Sequence, residues 1–286
     1  RHAEAEGNIY RRCHGLYDSL LTPRAYQQLP CLAKRFESVP LAAVYASPLF
    51  RARTTAQAVA APHGLTVELR NDLHEIDMGD WEDLPWAELP HGWPDQYAKW
   101  CARPWEAAPP HGETVMQACA RMLNEVRRLA QENDGKAIAV VTHGSAIRGA
   151  LTIAHGFPPE KMNEIGWGDN TCVARLDFAD DGSIDVVYEN DASHLPQELS
   201  TFACIGWKNT KGIPVSPQIW FRRADPNNPQ DVDKIVEFMR ELHRNAYGTD
   251  EGLDPAALLR DVERAQQVSP RSCTFGLLED IQQIGR

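Results

Sequence analysis

The sequence predicts an α/β fold, a three-layer α/β/α sandwich with a mostly parallel sheet, followed by a partial α+β domain. Two observations carry this prediction. Short apolar runs alternate along the chain with longer segments of helical period, which is the pattern of strand–helix–strand units. The runs are continuously apolar, as expected of parallel strands that helices cover on both faces.

The first strand–helix unit lies early in the chain. The run LAAVYAS at 41–47 stands between two prolines and predicts a buried strand. The following FRARTTAQAVAAPHG predicts a helix that ends near Gly64. The same order returns later, where KAIAVVTHG at 136–144 predicts a second buried strand and SAIRGALTIAHG at 145–156 predicts its helix.

Two further elements complete the predicted sandwich. Residues 112–134 predict an amphipathic helix whose apolar stripe faces the core. The stripe consists of Val115, Cys119, Met122, Val126 and Leu129. Residues 170–190 alternate in polarity on both sides of Asp181 and Gly182, which predicts a hairpin that closes the sheet.

The strongest linker signal is NTKGIPVSP at 209–217, with two prolines, a glycine and small polar residues. We therefore expect one domain over 1–208 and a second, partial domain over 218–286. Within the second, QIWFRRAD predicts a strand, 231–246 an amphipathic helix and 273–285 another strand.

Composition excludes several classes of function. The formal net charge is −11, with 29 basic against 40 acidic residues, which argues against a nucleic-acid partner. No apolar run approaches the ~18 residues of a membrane span, and no signal-peptide pattern is visible, so we expect no membrane partner. The seven cysteines contain no CxxC pair, which argues against a disulfide framework or a zinc site and favours a cytoplasmic protein.

In a parallel sheet, ligands bind beyond the carboxyl ends of the strands, so residues just past a strand are candidate site residues. Arg51 and Arg53 both follow the first strand in SPLFRARTTA, where a guanidinium beside helix N–H groups suits phosphate. His143, followed by Gly144, ends the second strand. Taken singly, each has a simpler interpretation, as a solvated arginine or a satisfied histidine in a turn.

Two other stretches supply further candidate groups. The first eight residues, RHAEAEGN, place Arg1 beside His2 and Asn8 shortly after, either as surface charges or as a nucleophile next to an anion-binding arginine. The stretch LHEIDMGDWE at 73–82 holds four carboxyls, Glu75, Asp77, Asp80 and Glu82. Acids in a loop are usually only solvated, but a phosphate ester needs one to protonate its departing oxygen.

Together these motifs resemble the histidine phosphatase superfamily, the phosphoglycerate mutase-like group, over about residues 1–205. RHAEAEGN is similar to the family's RHG followed by asparagine, SPLFRARTTA to SxLxRAxxTA, LHEIDMGDWED to LxExxxGxWEG, PHGET to PxGES and VVTHG to VTHG. NDASHL at 190–195 is similar to the closing signature. Ala3 stands where the family usually has glycine, and Asp83 replaces the glycine that ends the WEG triplet.

The resemblance implies a role for each candidate residue. The implied site consists of the nucleophile His2, the phosphoryl-binding Arg1, Arg51 and His143, the pocket residue Asn8 and the proton donor Glu75. The family also has a central strand before its RHG motif. We therefore expect the sequence to be a fragment of a longer product that includes this strand.

These parts suit hydrolysis of a small phosphomonoester through a phosphohistidine. Two arginines and a second imidazole already neutralise the phosphoryl charge, so we expect neither a metal nor a cofactor. A phosphoglycerate-type mutase shares this machinery and differs in what accepts the phosphoryl group from the phosphohistidine, a hydroxyl group instead of water.

The segment 81–112 carries five tryptophans and is either a packed flap or a lid over the site. Its few basic residues favour a phosphatase acting on a small phosphorylated metabolite. A non-catalytic phosphate-binding module is the alternative of another class.

The order of elements in 217–286 resembles the opening of a GCN5-related N-acetyltransferase domain. The glycine-rich acetyl-CoA loop of that family is absent from the sequence. Acetyl-CoA is therefore an expected partner only if the parent protein completes the domain. An α+β interaction module is the alternative.

Overall fold

The computed structural model describes residues 1–205, 219–223, 225, 227–247, 249, 254, 256–257, 260 and 276–280. The chain divides into two compact units, Arg1–Pro217 and Gln218–Arg286. The predicted linker at 209–217 lies outside the described residues, so the boundaries of the two domains stay a prediction.

The first unit contains eight helices and five strands among its described residues. The helices are α1 (Glu6–Ile9), α2 (Ala25–Phe36), α3 (Phe50–Ala60), α4 (Leu89–Gly92), α5 (Pro94–Ala102), α6 (Val115–Glu132), α7 (Gly144–Ala154) and α8 (Thr201–Ile205). The strands are β1 (Leu41–Ala46), β2 (Val67–Leu69), β3 (Ala137–Val141), β4 (Val173–Phe178) and β5 (Ile184–Asp191).

Strands β1, β2 and β3 form a parallel sheet in the order β2-β1-β3. The prediction of α/β architecture with a parallel sheet is confirmed, and β1 and β3 are the two strands expected from their apolar runs. Helix α3 follows β1 and leads into a short 3₁₀ turn that stops at Gly64, whose φ of 62° is left-handed and therefore suits glycine. Helix α7 likewise follows β3.

Alternation along the strands sends side chains to two separate cores. Val44 and Ala46 pack with α2 and α3 on one face, together with Ala139 and Val141 of β3. Tyr45 faces the other side and packs with α6 and α7. Helix α6 buries all five residues of its predicted stripe. Helices therefore cover both faces of the sheet, which makes the three layers.

The predicted hairpin forms, but the expectation that it closes the sheet is wrong. Strands β4 and β5 pair antiparallel as a separate two-stranded sheet. The physical reason is that residues 1 and 2 lie between β3 and the hairpin. His2 N donates to Thr142 O at 3.0 Å, and Arg1 N donates to Cys172 O at 3.0 Å. Their backbone takes the hydrogen bonds that a direct pairing would need.

The tryptophan-rich segment 81–112 is built around one buried ring. Trp81 is fully buried, and its ring lies 5.7 Å from that of Trp100 and 6.4 Å from that of Trp93, centroid to centroid. Trp86 and Trp105 are partly buried against the same cluster. Packing of this kind favours the packed-flap interpretation over an aromatic wall facing a ligand.

The second unit contains strand β6 (Ile219–Arg223), helix α9 (Pro229–Tyr247) and strand β7 (Gly276–Asp280) among its described residues. Strands β6 and β7 pair antiparallel. The predicted strand, helix and second strand are therefore all present. Within the described part of the whole chain, no helix is long and apolar enough to cross a membrane.

Candidate active site

The site is built where β1 and β3 end, at the carboxyl edge of the parallel sheet. Ser47 directly follows β1, and its backbone N–H donates to Val141 O at 3.1 Å, which joins the two strand ends. His143 follows β3 and is fully buried. Its Nε2 lies 2.8 Å from Ser47 Oγ. The sequence argument missed Ser47, although its place just past a strand is the same signal that drew attention to His143.

His2 lies beside His143, with ring centroids 5.2 Å apart. The His2 side chain is buried, and its Nδ1 lies 2.7 Å from Ala3 O. A carbonyl oxygen can only accept, so this contact assigns the proton to Nδ1. The lone pair is then on Nε2, which is the form a nucleophile needs.

Both imidazoles are held in their neutral form. Burial lowers the pKa of His2 well below its ordinary value, and the positive charges of Arg51 and Arg1 lower it further. Burial and the charge of Arg51 have the same effect on the pKa of His143. His143 Nδ1 is buried without a hydrogen-bond partner among the described residues. It is therefore a polar atom that a ligand could satisfy.

Arg51 lies in the first turn of α3 and is 1% exposed, whereas Arg53 is exposed. The Arg51 guanidinium donates to Gly15 O at 2.7 Å and to Tyr17 O at 2.8 Å. Burial lowers the pKa of Arg51 to about 10, which still leaves it cationic at neutral pH. The structure thus brings Arg51, and not Arg53, to the two histidines.

The loop that holds Arg51 is itself organised by one carboxylate. Glu82 accepts hydrogen bonds from the backbone N–H groups of Gly15 at 3.2 Å, Leu16 at 2.7 Å and Tyr17 at 2.9 Å. The carbonyls of the same loop then point at the Arg51 guanidinium. The sequence indicated Glu82 only as one of four acids and contained no signal for this contact.

Arg1 is held by contacts with a later part of the chain. Its Nη1 donates to Gly168 O at 2.5 Å, and its Cζ lies 5.9 Å from the centroid of the Phe202 ring. Gly144, at the start of α7, makes room for it, because a Cβ there would lie 3.3 Å from Arg1 Nε. Burial lowers the pKa of Arg1, while Asp169 is among the groups whose negative charge opposes that shift.

Glu75 is the one acid of the four that contacts the sheet edge. Its oxygens accept the backbone N–H groups of Ser145 and Ala146, both at 3.0 Å, in the first turn of α7. The negative charge of Glu75 also acts on Arg1 and Arg51. This places the carboxyl beside both arginines.

The other acids of the loop have different partners. Asp77 accepts the N–H of Gly79 at 2.9 Å, and Asp80 lies 3.0 Å from His111 Nδ1. Glu82 holds the loop that contains Gly15, as described above.

Asn8 supports the backbone of His2 through a second amide, that of Asn170. Its Oδ1 accepts the N–H of Ala5 at 2.9 Å and Nδ2 of Asn170 at 3.1 Å. Nδ2 of Asn170 also donates to His2 O at 3.1 Å. Asn170 was missed by the sequence argument because it lies 168 residues from His2.

The two departures from the family motifs have different structural settings. Ala3 is fully buried, and its N–H donates to Thr55 Oγ1 at 2.9 Å, so the added methyl group is accommodated in the core. Asp83 adopts a left-handed φ of 57°, a conformation that glycine adopts without cost. Asp83 compensates through its carboxylate, which accepts from Arg12 Nε at 2.6 Å and lies 3.1 Å from His14 Nε2.

Two imidazoles and two guanidinium groups thus meet at one edge of an α/β sheet. This arrangement defines an anion-binding site of the kind that phosphoryl groups require. Within the described residues, no group of three or more His, Cys, Asp and Glu side chains could hold a metal ion.

Comparisons with known proteins agree with this class. A family model described as histidine phosphatase superfamily (branch 1) matches residues 1–191. The chain therefore belongs to the histidine phosphatase superfamily, and its activity is that of a phosphoric monoester hydrolase.

Several relatives cover most of the first unit. The chain is 28% identical over 166 residues to phosphoserine phosphatase 1 of Hydrogenobacter thermophilus, covering 58% of this chain and 79% of the relative. It is 30% identical over 215 residues to phosphoglycerate mutase-like protein 4 of Arabidopsis thaliana, covering 74% and 92%. Among solved structures, YhfR of Bacillus stearothermophilus matches with a TM-score of 0.65 at 30% identity, covering 68% of this chain and 96% of that one.

Proposed function

We propose that this enzyme is a phosphatase that hydrolyses a small phosphomonoester through a phosphohistidine formed on His2, without a metal ion. One observation carries the proposal. His2 is held by Ala3 O as the tautomer with its lone pair on Nε2, and it lies beside a second imidazole and within the positive charge of the buried Arg51 and the half-buried Arg1. A neutral nucleophile in a cationic pocket suits attack on a phosphate ester.

In the first step, the Nε2 lone pair of His2 attacks phosphorus, and the bond from phosphorus to the ester oxygen breaks. The departing ester oxygen takes a proton from Glu75, and the leaving group departs as an alcohol. In the second step, water attacks the phosphohistidine and gives its proton back to Glu75. The nitrogen–phosphorus bond breaks, inorganic phosphate forms, and neutral His2 and protonated Glu75 are restored.

The charge of the transferring group needs fixed donors. Arg1 and Arg51 supply guanidinium N–H groups on two sides, and His143 Nδ1, which lacks a partner among the described residues, supplies a third position. Asn8 acts indirectly. Its amide oxygen accepts from Asn170, which in turn donates to the backbone carbonyl of His2. Donors that need no reorganisation during the reaction are the main source of such catalysis.

Glu75 is the proton donor in this scheme because of its position. Its carboxyl lies at the start of α7, next to the proposed phosphoryl-binding arginines, and is held by three backbone N–H groups, those of Ile76, Ser145 and Ala146. Asp77 instead contacts the N–H of Gly79, and Asp80 contacts His111.

The relatives favour hydrolysis without excluding transfer to a second hydroxyl. The Hydrogenobacter thermophilus relative is named a phosphoserine phosphatase, and a relative from Escherichia coli, 29% identical over 162 residues, is named an adenosylcobalamin/alpha-ribazole phosphatase. The Arabidopsis thaliana relative carries a mutase-like name, so a phosphoglycerate-type mutase is the second candidate. A non-catalytic phosphate-binding module is less favoured, since such a module has no need of Glu75.

The test is a panel of phosphorylated metabolites, including phosphoserine and 3-phosphoglycerate, with free phosphate and isomerised product measured side by side. We expect stoichiometric release of free phosphate and no isomer. Isomer formation without phosphate release would replace the phosphatase by the mutase. Absence of both, for every substrate including p-nitrophenyl phosphate, would favour the binding module.

Three further predictions stay proposals. We propose the domain boundaries 1–208 and 218–286, with 209–217 as linker. We propose an acetyltransferase-like second unit, which is supported by the order strand, helix, strand. We also propose a cytoplasmic location, which is supported by the cysteine usage.

A further inference from the structure

The chain returns to the active site after the residues that the family model matches. That match ends at residue 191, whereas residues 199–202, here called the tail segment, contact groups around Arg1. Gln28 Nε2 donates to Leu199 O at 2.8 Å and to Thr201 Oγ1 at 3.1 Å. The other atom of the same amide, Oε1, accepts the N–H of Glu4 at 2.9 Å. One buried side chain thus ties the tail segment to the backbone beside His2.

A second contact is made by the carboxylate of Asp169. Its Oδ2 accepts the hydroxyl of Ser200 at 2.5 Å, and its Oδ1 accepts the N–H groups of Asn170 at 2.7 Å and Phe202 at 3.3 Å. The residue before it, Gly168, supplies the carbonyl that accepts from Arg1. The turn that holds Arg1 is therefore fastened to the tail segment by two hydrogen bonds, one from the Ser200 hydroxyl and one from the Phe202 N–H.

The third contact is with Arg1 itself. The Phe202 side chain is buried, and its ring lies 5.9 Å from Arg1 Cζ, within the range of a cation–π interaction. Arg1 Nε is buried without a hydrogen-bond partner among the described residues. The Gly168 carbonyl and the Phe202 ring thus orient the guanidinium. The Nε–H group of Arg1 remains available to donate to a ligand.

We propose that Phe202 and Ser200 are positioning residues for Arg1, so that the tail segment completes the phosphoryl pocket. Phe202 supports the guanidinium directly. Ser200 acts through Asp169, which keeps the Gly168 carbonyl in place. The inference rests on the proposed role of Arg1, and neither residue touches the substrate.

The test is a double-mutant cycle on the full chain, with p-nitrophenyl phosphate as substrate and inorganic phosphate as competitive inhibitor. Phe202→Leu keeps the apolar volume and removes the aromatic face. It is measured in the wild type, in Arg1→Gln and in Arg51→Gln. We expect Phe202→Leu to lower kcat/KM and raise the phosphate inhibition constant by about 2- to 10-fold in the wild type and in Arg51→Gln. We expect less than 2-fold in Arg1→Gln.

The outcomes separate the inference from the proposed function. If Arg1→Gln itself leaves kcat/KM unchanged, Arg1 does not bind the phosphoryl group, and both ideas fail. If Arg1→Gln is damaging but Phe202→Leu is silent or acts equally in all three backgrounds, only the inference is overturned.

Two additional variants guard against an unfolded protein. Phe202→Tyr keeps the ring and should restore wild-type inhibition by phosphate. Ser200→Ala should show a smaller loss with the same dependence on Arg1, whereas Glu198→Gln, a matched polar change in the preceding turn, should show none. Loss in Ser200→Ala that persists unchanged in Arg1→Gln would also overturn the inference.

Discussion

The two arginines of the proposed phosphoryl pocket are held in different ways. Arg51 is gripped by the carbonyls of Gly15 and Tyr17, all within one early stretch of the chain. Arg1 contacts Gly168 and Phe202, which lie 167 and 201 positions further along the chain. Burial lowers the pKa of both side chains. The same type of side chain is therefore held by a nearby loop at Arg51 and by residues far along the chain at Arg1.

The Arg1 side of the proposed pocket depends on long-range folding more than the Arg51 side does. The Arg51 side needs one loop, fastened by Glu82, to be in place. The Arg1 side needs the far end of the unit to have folded back onto the start. We expect the Arg51 side to tolerate changes in the late segments that disturb the Arg1 side.

His2→Ala removes the proposed nucleophile and should have the largest effect on turnover. We expect turnover to be abolished, because in the proposed mechanism the phosphoryl group is transferred to His2 Nε2, whereas His143 only binds it. Brief incubation with labelled substrate should leave acid-labile label on the wild type alone. Circular dichroism should show an unchanged fold, and label on the His2→Ala protein would contradict the assignment.

Glu75→Gln tests the group that lies next to both arginines. A general acid matters when the leaving oxygen departs poorly, so alkyl phosphates should slow by about 10²- to 10⁴-fold and p-nitrophenyl phosphate far less. Asp77→Asn and Asp80→Asn are the matched controls and should show no such substrate dependence. A large alkyl-selective loss in either control would assign the proton donor elsewhere.

Arg51→Lys tests the geometry of the Arg51 side. The side chain keeps its charge but loses the planar fork that contacts two carbonyls and that we propose binds the phosphoryl group. Loss of one charge-assisted contact of about 1.5–3 kcal/mol corresponds to a roughly 10- to 100-fold lower kcat/KM. Arg53→Lys, on the exposed face of the same helix turn, should be nearly silent, and equal effects at the two positions would contradict the structure.

Glu82→Gln loosens the support of Arg51 without touching Arg51. A carboxylate accepts the three loop N–H groups with two oxygens, whereas the amide nitrogen of glutamine cannot accept. We expect kcat/KM to fall by about 10-fold or less, because one oxygen still accepts, and the phosphate inhibition constant to rise with it. Asp80→Asn is the control, and an unchanged inhibition constant in Glu82→Gln would mean that the loop does not depend on this carboxylate.

The pH profile compares the two arginines most finely. The neutral form of His2 is required, and its pKa is lowered by burial, then by Arg51, then by Arg1. The acid limb of kcat/KM for the wild type should therefore lie below the ordinary histidine pKa of 6.5. Arg51→Gln removes a repelling charge, raises the pKa of His2 and should move the limb to higher pH. Arg1→Gln should move the acid limb less, because Arg1 lowers the pKa of His2 less than Arg51 does. A larger shift in Arg1→Gln than in Arg51→Gln would contradict this order of the two arginines.

The part of the site that lies next to strands was predictable from sequence. Arg51 follows β1 and His143 follows β3, and parallel strands bring their carboxyl ends to one edge. The choice between Arg51 and Arg53 needed the family resemblance, because both lie in the first turn of the same helix. The structure separates them by burial.

Two features were misread or missed for reasons of tertiary contact. The hairpin β4-β5 does not join the parallel sheet, because the backbone of residues 1 and 2 takes the hydrogen bonds at that edge. Phe202 and Asp169 gave no signal, since nothing in their local sequence indicates a partner near residue 1. Asp83 was visible as a departure, but only its left-handed φ explains why glycine suits that position.

The order of strands and helices, the parallel sheet and the candidate imidazole, guanidinium and carboxyl groups at its edge could be predicted from sequence. These follow from local periodicity and from residue type, which act over short distances along the chain. Only the tertiary structure decided which nitrogen of His2 is free, which arginine is buried and what supports Arg1. Those properties depend on hydrogen bonds and burial between residues far apart in sequence, which a local pattern does not encode.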